Sequence, residues 1–144
     1  MLGRDEIAAL IPHAGTMCLL DAVIRWDESS IACRSARHRD PGNPMRRDGR
    51  LAAVCGVEFA AQAMALHGAL SGNASGRPRA GLLASIRDLV CRPTRLDLLA
   101  GDLVIEAERL MGDDARVIYR FALRSADGDV LSGRAAVVLA AEPA

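Results

Sequence analysis

The segment AAVCGVEFAAQAMALHGAL, residues 52–70, decides the fold. No proline interrupts it, and only Glu58, Gln62 and His67 bring polar side-chain chemistry into an otherwise apolar run. A helix that is apolar on almost all sides is buried on almost all sides. Successive helical residues turn by about 100°, so Glu58 falls angularly among Val54, Ala61, Ala65 and Ala69. Its carboxylate therefore has small apolar neighbours along its own helix. A carboxylate in such surroundings is costly unless it is paired, hydrogen-bonded or protonated, and that cost singles out Glu58 as a candidate functional group.

Upstream of this helix, Asp5 to Leu10 predicts a short helix that Pro12 ends, followed by the tight polar loop His13-Ala14-Gly15. Val23, Ile24 and Trp26 predict the end of a first strand, Asp27-Glu28-Ser29-Ser30 a hairpin turn, and Ile31 to Ala36 a second strand. Residues 38–50, HRDPGNPMRRDGR, form a long loop that carries Arg39, Arg46, Arg47 and Arg50. A loop of this length within a compact domain is often functional.

Downstream, SGNASGRPRA at 71–80 ends the helix. Strands are expected over Leu82–Val90, Leu103–Leu110, Arg116–Arg124 and Val130–Leu139. The third of these has the clearest period of two: Val117, Tyr119, Phe121 and Leu123 share one face, while Arg116, Arg120 and Arg124 lie on the other. Two strands, one buried helix and about four further strands predict an α+β fold. A single antiparallel sheet curls around a long central helix, in one domain over residues 1–144.

Lys+Arg and Asp+Glu balance at 18 each, so no basic excess marks a nucleic-acid partner. No GxGxxG or P-loop follows a strand. The four cysteines, Cys18, Cys33, Cys55 and Cys91, contain no CxxC pair. They read as buried free thiols in a reducing cytoplasm, and neither a metal nor a cofactor is expected. The N-terminus MLGRDEIAAL lacks the pattern of a signal peptide. The helix comes nearest to a membrane span, but Glu58, Gln62 and His67 argue against one.

Three segments carry a resemblance, and their order and spacing together are fairly specific. IPHAGTMCLLDAV (11–23) is similar to a proline-histidine loop leading into an apolar strand and an aspartate. GVEFAAQAMALH (56–67) is similar to a glutamate helix with E-x-x-x-Q spacing. LLASIRDLVCRP (82–93), with the turn LLAGD (98–102), resembles the strand and turn that follow that helix. In this order they resemble the 3-hydroxyacyl-[acyl-carrier-protein] dehydratases of the hotdog fold, over about Ala9 to Leu139. The best-known branch places a GHFP-type histidine 14 residues before the helix acid, where this chain has Pro44. The chain looks more like the divergent branch linked to aryl polyene synthesis, whose notable polar features are the proline-histidine loop and the helix glutamate.

That resemblance implies a reaction and a set of roles. Dehydration of a 3-hydroxyacyl thioester removes a C2 proton and expels the C3 oxygen. It wants a base with a pKa near neutrality, an acid for the leaving oxygen, and N–H groups for the thioester carbonyl. His13 is the first candidate base and His38 the alternative; Glu58 is the acid, with Gln62 one turn on to orient it. The backbone N–H groups of Ala53 and Val54, at the helix start, are the candidate oxyanion donors. Arg46, Arg47 and Arg50, with Arg77 and Arg79, are candidates to meet an acyl carrier protein or its phosphopantetheine phosphate. The resemblance also implies a homodimer or a higher even oligomer, or pairing with a related hotdog subunit. His67 reads as a C-terminal cap, and Asp21 as a histidine partner or strand cap. Two other functions use the same fold: thioester hydrolysis, and a non-catalytic acyl-binding or partner role.

Overall fold

A computed structural model of the chain describes residues 2–11, 15–71, 81–113 and 115–139. In chain order these form β1 (Leu2–Gly3), α1 (Arg4–Leu10), β2 (Ala22–Trp26), β3 (Ser30–Ser35), α2 (Gly56–Ser71), β4 (Gly81–Cys91), β5 (Leu103–Gly112), β6 (Arg116–Ser125) and β7 (Gly128–Leu139). The seven strands make one antiparallel sheet in the order β1-β2-β3-β5-β6-β7-β4. The long helix α2 packs on β3, β5 and β6. This is the hotdog arrangement. The expected elements are present, with boundaries moved by one to three residues in most of them. The two-residue edge strand β1 has no pattern of its own to betray it.

The alternating strands set the two faces of the sheet. Val117, Tyr119, Phe121 and Leu123 of β6 are buried beneath α2, as are Ile105 and Ala107 of β5. Arg116, Arg120 and Arg124 stand on the outer face. The turn between β2 and β3 is closed by Asp27, whose Oδ1 accepts the N–H groups of Ser29 (2.9 Å) and Ser30 (2.8 Å) and both of their hydroxyls. Those four donors hold the Asp27 carboxyl below its ordinary range.

Both ends of α2 are pinned. A 3-10 turn, Ala53–Cys55, leads into the helix. Just before it, residues 51–53 pair with residues 94–97: Leu96 N–H donates to the Leu51 carbonyl at 2.7 Å, and Leu51 N–H donates to Asp97 at 2.8 Å. The Arg95 guanidinium beside Asp97 holds that carboxyl far below its usual range. Gly56 opens the helix directly against the sheet, where a Cβ would meet the Leu123 side chain at 3.0 Å and that of Leu131 at 3.4 Å. At the other end, His67 is fully buried. Its Nε2 lies 2.9 Å from the Asp27 carbonyl and its Nδ1 2.7 Å from the Tyr119 hydroxyl. Since a carbonyl only accepts, Nε2 carries the proton and Nδ1 accepts from Tyr119. Burial lowers the His67 pKa. The cationic C-terminal cap expected at His67 is thus replaced by a neutral histidine that ties helix to sheet.

The helix departs from the sequence reading in one respect. Phe59, Ala60, Gln62, Ala63, Met64, Leu66 and His67 are buried, but Val54 (57% exposed), Ala65 and Gly68 are exposed, and Glu58 and Ala61 are half-buried. The sheet curls around only part of the helix. An apolar composition on every side therefore leaves one stripe bare in the single chain. A second difference concerns the thiols, all four of which are free: Cys18 and Cys33 are buried, Cys55 is half-buried, and Cys91 is exposed on β4. Burial pushes the Cys33 thiol up to about 12. By length and hydropathy, Ala53–Ser71 is one helix able to cross a membrane, but here it packs against protein on β3, β5 and β6.

Candidate functional site

Glu58 sits in the first turn of α2. It lies on the uncovered stripe, half-buried. Gln62, one turn on, donates from Nε2 to Glu58 Oε1 at 3.4 Å. That is its weakest bond. The same nitrogen donates to the Met17 carbonyl at 2.8 Å, and Oε1 accepts the Leu19 N–H at 2.9 Å. Gln62 is fully buried, so its carboxamide is a strut between helix and loop as well as a neighbour of the acid.

The strut holds the segment that follows the proline-histidine loop. His13 itself lies outside the described residues. Gly15, two residues on, takes φ +61°, a left-handed conformation that favours glycine, and opens the 3-10 turn Gly15–Met17. Beyond it, the Leu19 carbonyl accepts the Ser35 hydroxyl. Asp21 completes the anchoring: its Oδ2 accepts the Ala36 N–H at 2.7 Å, and its Oδ1 lies 3.3 Å from Arg37 Nε. Asp21 thus caps β3 and holds arginines.

Arg4 grips the same segment from the other side. One guanidinium nitrogen donates to the carbonyls of Cys18 (2.8 Å) and Leu20 (3.4 Å) and meets Asp21 Oδ1 at 3.4 Å. The other donates to the Gly15 carbonyl at 3.1 Å. Sequence reasoning missed Arg4. Its acceptors are mostly backbone carbonyls 11 to 17 residues away, and no local pattern marks them.

The other candidates are placed as follows. His38 is fully buried in the long loop, with Nε2 3.0 Å from the Leu99 carbonyl. That bond fixes the proton on Nε2 and leaves Nδ1 buried without a hydrogen-bond partner among the described residues. Burial lowers the His38 pKa. The Ala53 N–H donates to the Thr94 carbonyl at 3.0 Å. Val54, next in the 3-10 turn, has no intrahelical carbonyl within reach of its N–H. Arg46 is turned onto its own loop, donating to the carbonyls of Gly49 (2.8 Å) and His38 (3.0 Å). Arg47 and Arg50 are exposed and bridge each other through their backbones. Arg77 and Arg79 lie outside the described residues, as does the rest of 72–80. The structure therefore brings together Glu58, Gln62 and the segment after His13, while His38 belongs to a separate buried anchor at Leu99.

No curated protein matches the sequence. Several solved structures share the fold. The dehydratase heterocomplex ApeI:P from Xenorhabdus doucetiae contains a chain that superposes with a TM-score of 0.82 at 20% identity, covering 99% of this chain and 93% of that one. The thioesterase HI1161 from Haemophilus influenzae gives 0.66 at 14% identity, over 97% and 92%. AziG from S. sahachiroi gives 0.66 at 11% identity, over 90% and 97%. At these identities the likeness concerns the fold. A family model described as ApeP-like, ApeP dehydratase, matches residues 5–144. On that match across nearly its whole length, the chain belongs to the ApeP-like family of dehydratases.

Proposed function

We propose that this protein, a single domain over residues 1–144, dehydrates a 3-hydroxyacyl thioester borne on an acyl carrier protein in the cytoplasm. In this reading His13 takes the C2 proton and the C2 electron pair forms the C2=C3 double bond. The C3–O bond breaks, and Glu58 donates its proton so that the oxygen leaves as water. The thioester carbonyl, which gathers negative charge, takes the Val54 N–H at the helix start. The Ala53 N–H, engaged by Thr94, plays no part. Because His38 is buried and bonded to Leu99, its part in this reading is to anchor the long loop.

The single observation that carries the reading is the Gln62 strut. It holds the backbone at Met17 and Leu19 against the helix that bears Glu58, so the residues just after His13 cannot drift away from the acid. A second subunit of the same fold completes the site. The bare stripe of Val54, Glu58, Ala61, Ala65 and Gly68 supports this, because a partner laid on it would exclude water from the carboxylate. The similar chain in the ApeI:P heterocomplex supports a related subunit as that partner.

The test is Glu58→Gln. Glutamine keeps the shape and the contact with Gln62 but has no carboxylic proton to give. We expect kcat to fall by about 10²–10⁴-fold, the usual worth of a positioned acid, with the thermal midpoint little changed. Incubation with 3-hydroxyacyl and enoyl carrier thioesters, followed by mass, gives the outcome. Loss of one water marks a dehydratase, release of free acid a thioesterase, and binding without turnover a partner subunit. A folded Glu58→Gln protein with full turnover removes Glu58 from the mechanism.

A further inference from the structure

The outer face of the sheet, turned away from α2, carries its arginines unevenly. Towards β3 and β5 each guanidinium meets an acid: Arg25 and Arg124 both meet Glu106, Arg120 meets Glu108, and Arg34 meets Asp102. Towards β4 the pattern reverses. Arg87 of β4 stands directly opposite Arg134 of β7, and Arg134 stands directly opposite Arg120 of β6. Arg116 lies further along β6. Arg87, Arg116 and Arg134 are exposed; Arg116 lies beside Asp113, whose Oδ1 accepts its backbone N–H at 3.0 Å, while neither Arg87 nor Arg134 has an acidic partner among the described residues. They border a groove of about 280 Å³ with Ser85, Ile118 and Ala136 between them.

Like charges placed directly opposite across a sheet destabilise it. The chain has as many acids as bases, yet Asp88 of β4 and Asp129 of β7 form no ion pair with Arg87 or Arg134 among the described residues, and only Arg120, at the end of the row, meets an acid, Glu108. The patch is also large. Neighbouring strands are about 4.8 Å apart, so the row Arg87–Arg134–Arg120 spans about 10 Å, and Arg116 adds about 13 Å along β6. One or two guanidiniums satisfy a single phosphate. An area of this size, floored by Ser85, Ile118 and Ala136, matches the carboxylate-bearing face of a protein. Pairing of a partner strand along the β4 edge would use backbone groups in the sheet plane, leaving this outer face open.

We propose that the outer face of β4, β7 and β6, centred on Arg87, Arg134 and Arg116, docks an acidic protein. The identity of that protein as the substrate carrier rests on the dehydratase reading. The docking face is distinct from the arginine loop, where Arg46 is already held by the carbonyls of Gly49 and His38.

Binding of a holo acyl carrier protein to the whole chain, followed by fluorescence anisotropy at low and physiological ionic strength, tests this. Arg87→Glu/Arg134→Glu should weaken binding by about tenfold or more and flatten its salt dependence. Arg47→Glu/Arg50→Glu should change it by less than about twofold. Wild-type affinity in the groove variant, a loss confined to the loop variant, or no binding by the unaltered protein would each overturn the proposal. So would binding of free phosphopantetheine in the groove while the apo carrier fails to bind, which would mark a phosphate subsite. If the double glutamate variant does not fold, Arg87→Gln/Arg134→Gln relieves the like-charge row, and its carrier affinity decides in the same way. Turnover of a pantetheine thioester without any carrier separates the two readings. Groove variants should retain it, and its absence in the unaltered protein would reject the dehydratase reading while leaving the carrier-binding result to judge the dock.

Discussion

Gln62 uses both ends of its carboxamide at once. The oxygen takes the Leu19 N–H, and the nitrogen serves the Met17 carbonyl and Glu58. Replacing it by leucine would keep most of the volume but leave two backbone groups without partners, the buried Leu19 N–H and the part-buried Met17 carbonyl. Each such group costs about 1–3 kcal/mol, so Gln62→Leu should lower the thermal midpoint by several degrees. The same change frees the segment after His13, and kcat should fall by more than the unfolded fraction explains. Hydrogen exchange at the Leu19 amide reads the structural half of this directly. If that amide stayed as protected in the variant as in the unaltered protein, Gln62 would not be the strut. Arg4 does the matching work on the outer side. Its fork reaches the carbonyls of Gly15 and Cys18 together, a grip that a lysine, with one point of charge, cannot reproduce.

The helix α2 behaves as a beam fixed at both ends, and its C-terminal fixing depends on pH. His67 is neutral between Tyr119 and the Asp27 carbonyl, and burial lowers its pKa from the ordinary 6.5. The charged groups that face it oppose each other, Arg109 lowering the pKa and Asp27 raising it. His38 is lowered as well, again chiefly by burial. In both cases the unfolded chain takes up a proton more readily than the folded one. Their contribution to stability is therefore complete above pH 6.5 and is lost as the pH falls through the lower folded values. Urea unfolding between about pH 7.5 and pH 5 should show stability declining on acidification. His67→Gln keeps a donor for the Asp27 carbonyl but cannot take up a proton, so its decline should be shallower. An identical slope in the two proteins would show that His67 does not titrate between the folded and unfolded states.

At the scale of the whole molecule, the chain leaves two surfaces unfinished. The strand β4 is the last in the sheet, 11 residues long, with Leu89 38% and Val90 47% exposed. A long edge of this kind invites another strand. The helix stripe around Glu58 is bare too. Assembly that covers both would give an even oligomer, with a mass about twice the 15.3 kDa of the chain for a homodimer. Leu89→Lys/Val90→Lys places charge on the edge without touching the core. It should leave a folded monomer in sedimentation, with little turnover because the Glu58 face stays wet. A strictly monomeric unaltered protein at micromolar concentration would contradict this. So would a doubly substituted protein that still assembles.

Much of this protein is written in local pattern. The period of two in β6 placed Val117, Tyr119, Phe121 and Leu123 on the buried face, and the apolar run at 52–70 located the central helix, because burial acts on residue after residue in a repeating geometry. The glutamate at position 58, with a glutamine one turn later, was legible for the same reason. What the pattern did not contain was the identity of partners across the fold. Nothing near Gln62 in sequence names Met17 and Leu19, nothing near Arg4 names Gly15 and Cys18, and His67 reads as a cap until Tyr119 is brought to it. These contacts join residues 11 to 52 positions apart, and hydrogen bonds of that kind exist only after the sheet has curled. The same curling decided which side of an evenly apolar helix stayed bare. Composition alone determined that a helix would be buried, and only the tertiary structure decided that the side bearing Glu58 would face a partner or solvent, because one sheet is too narrow to enclose a helix all round.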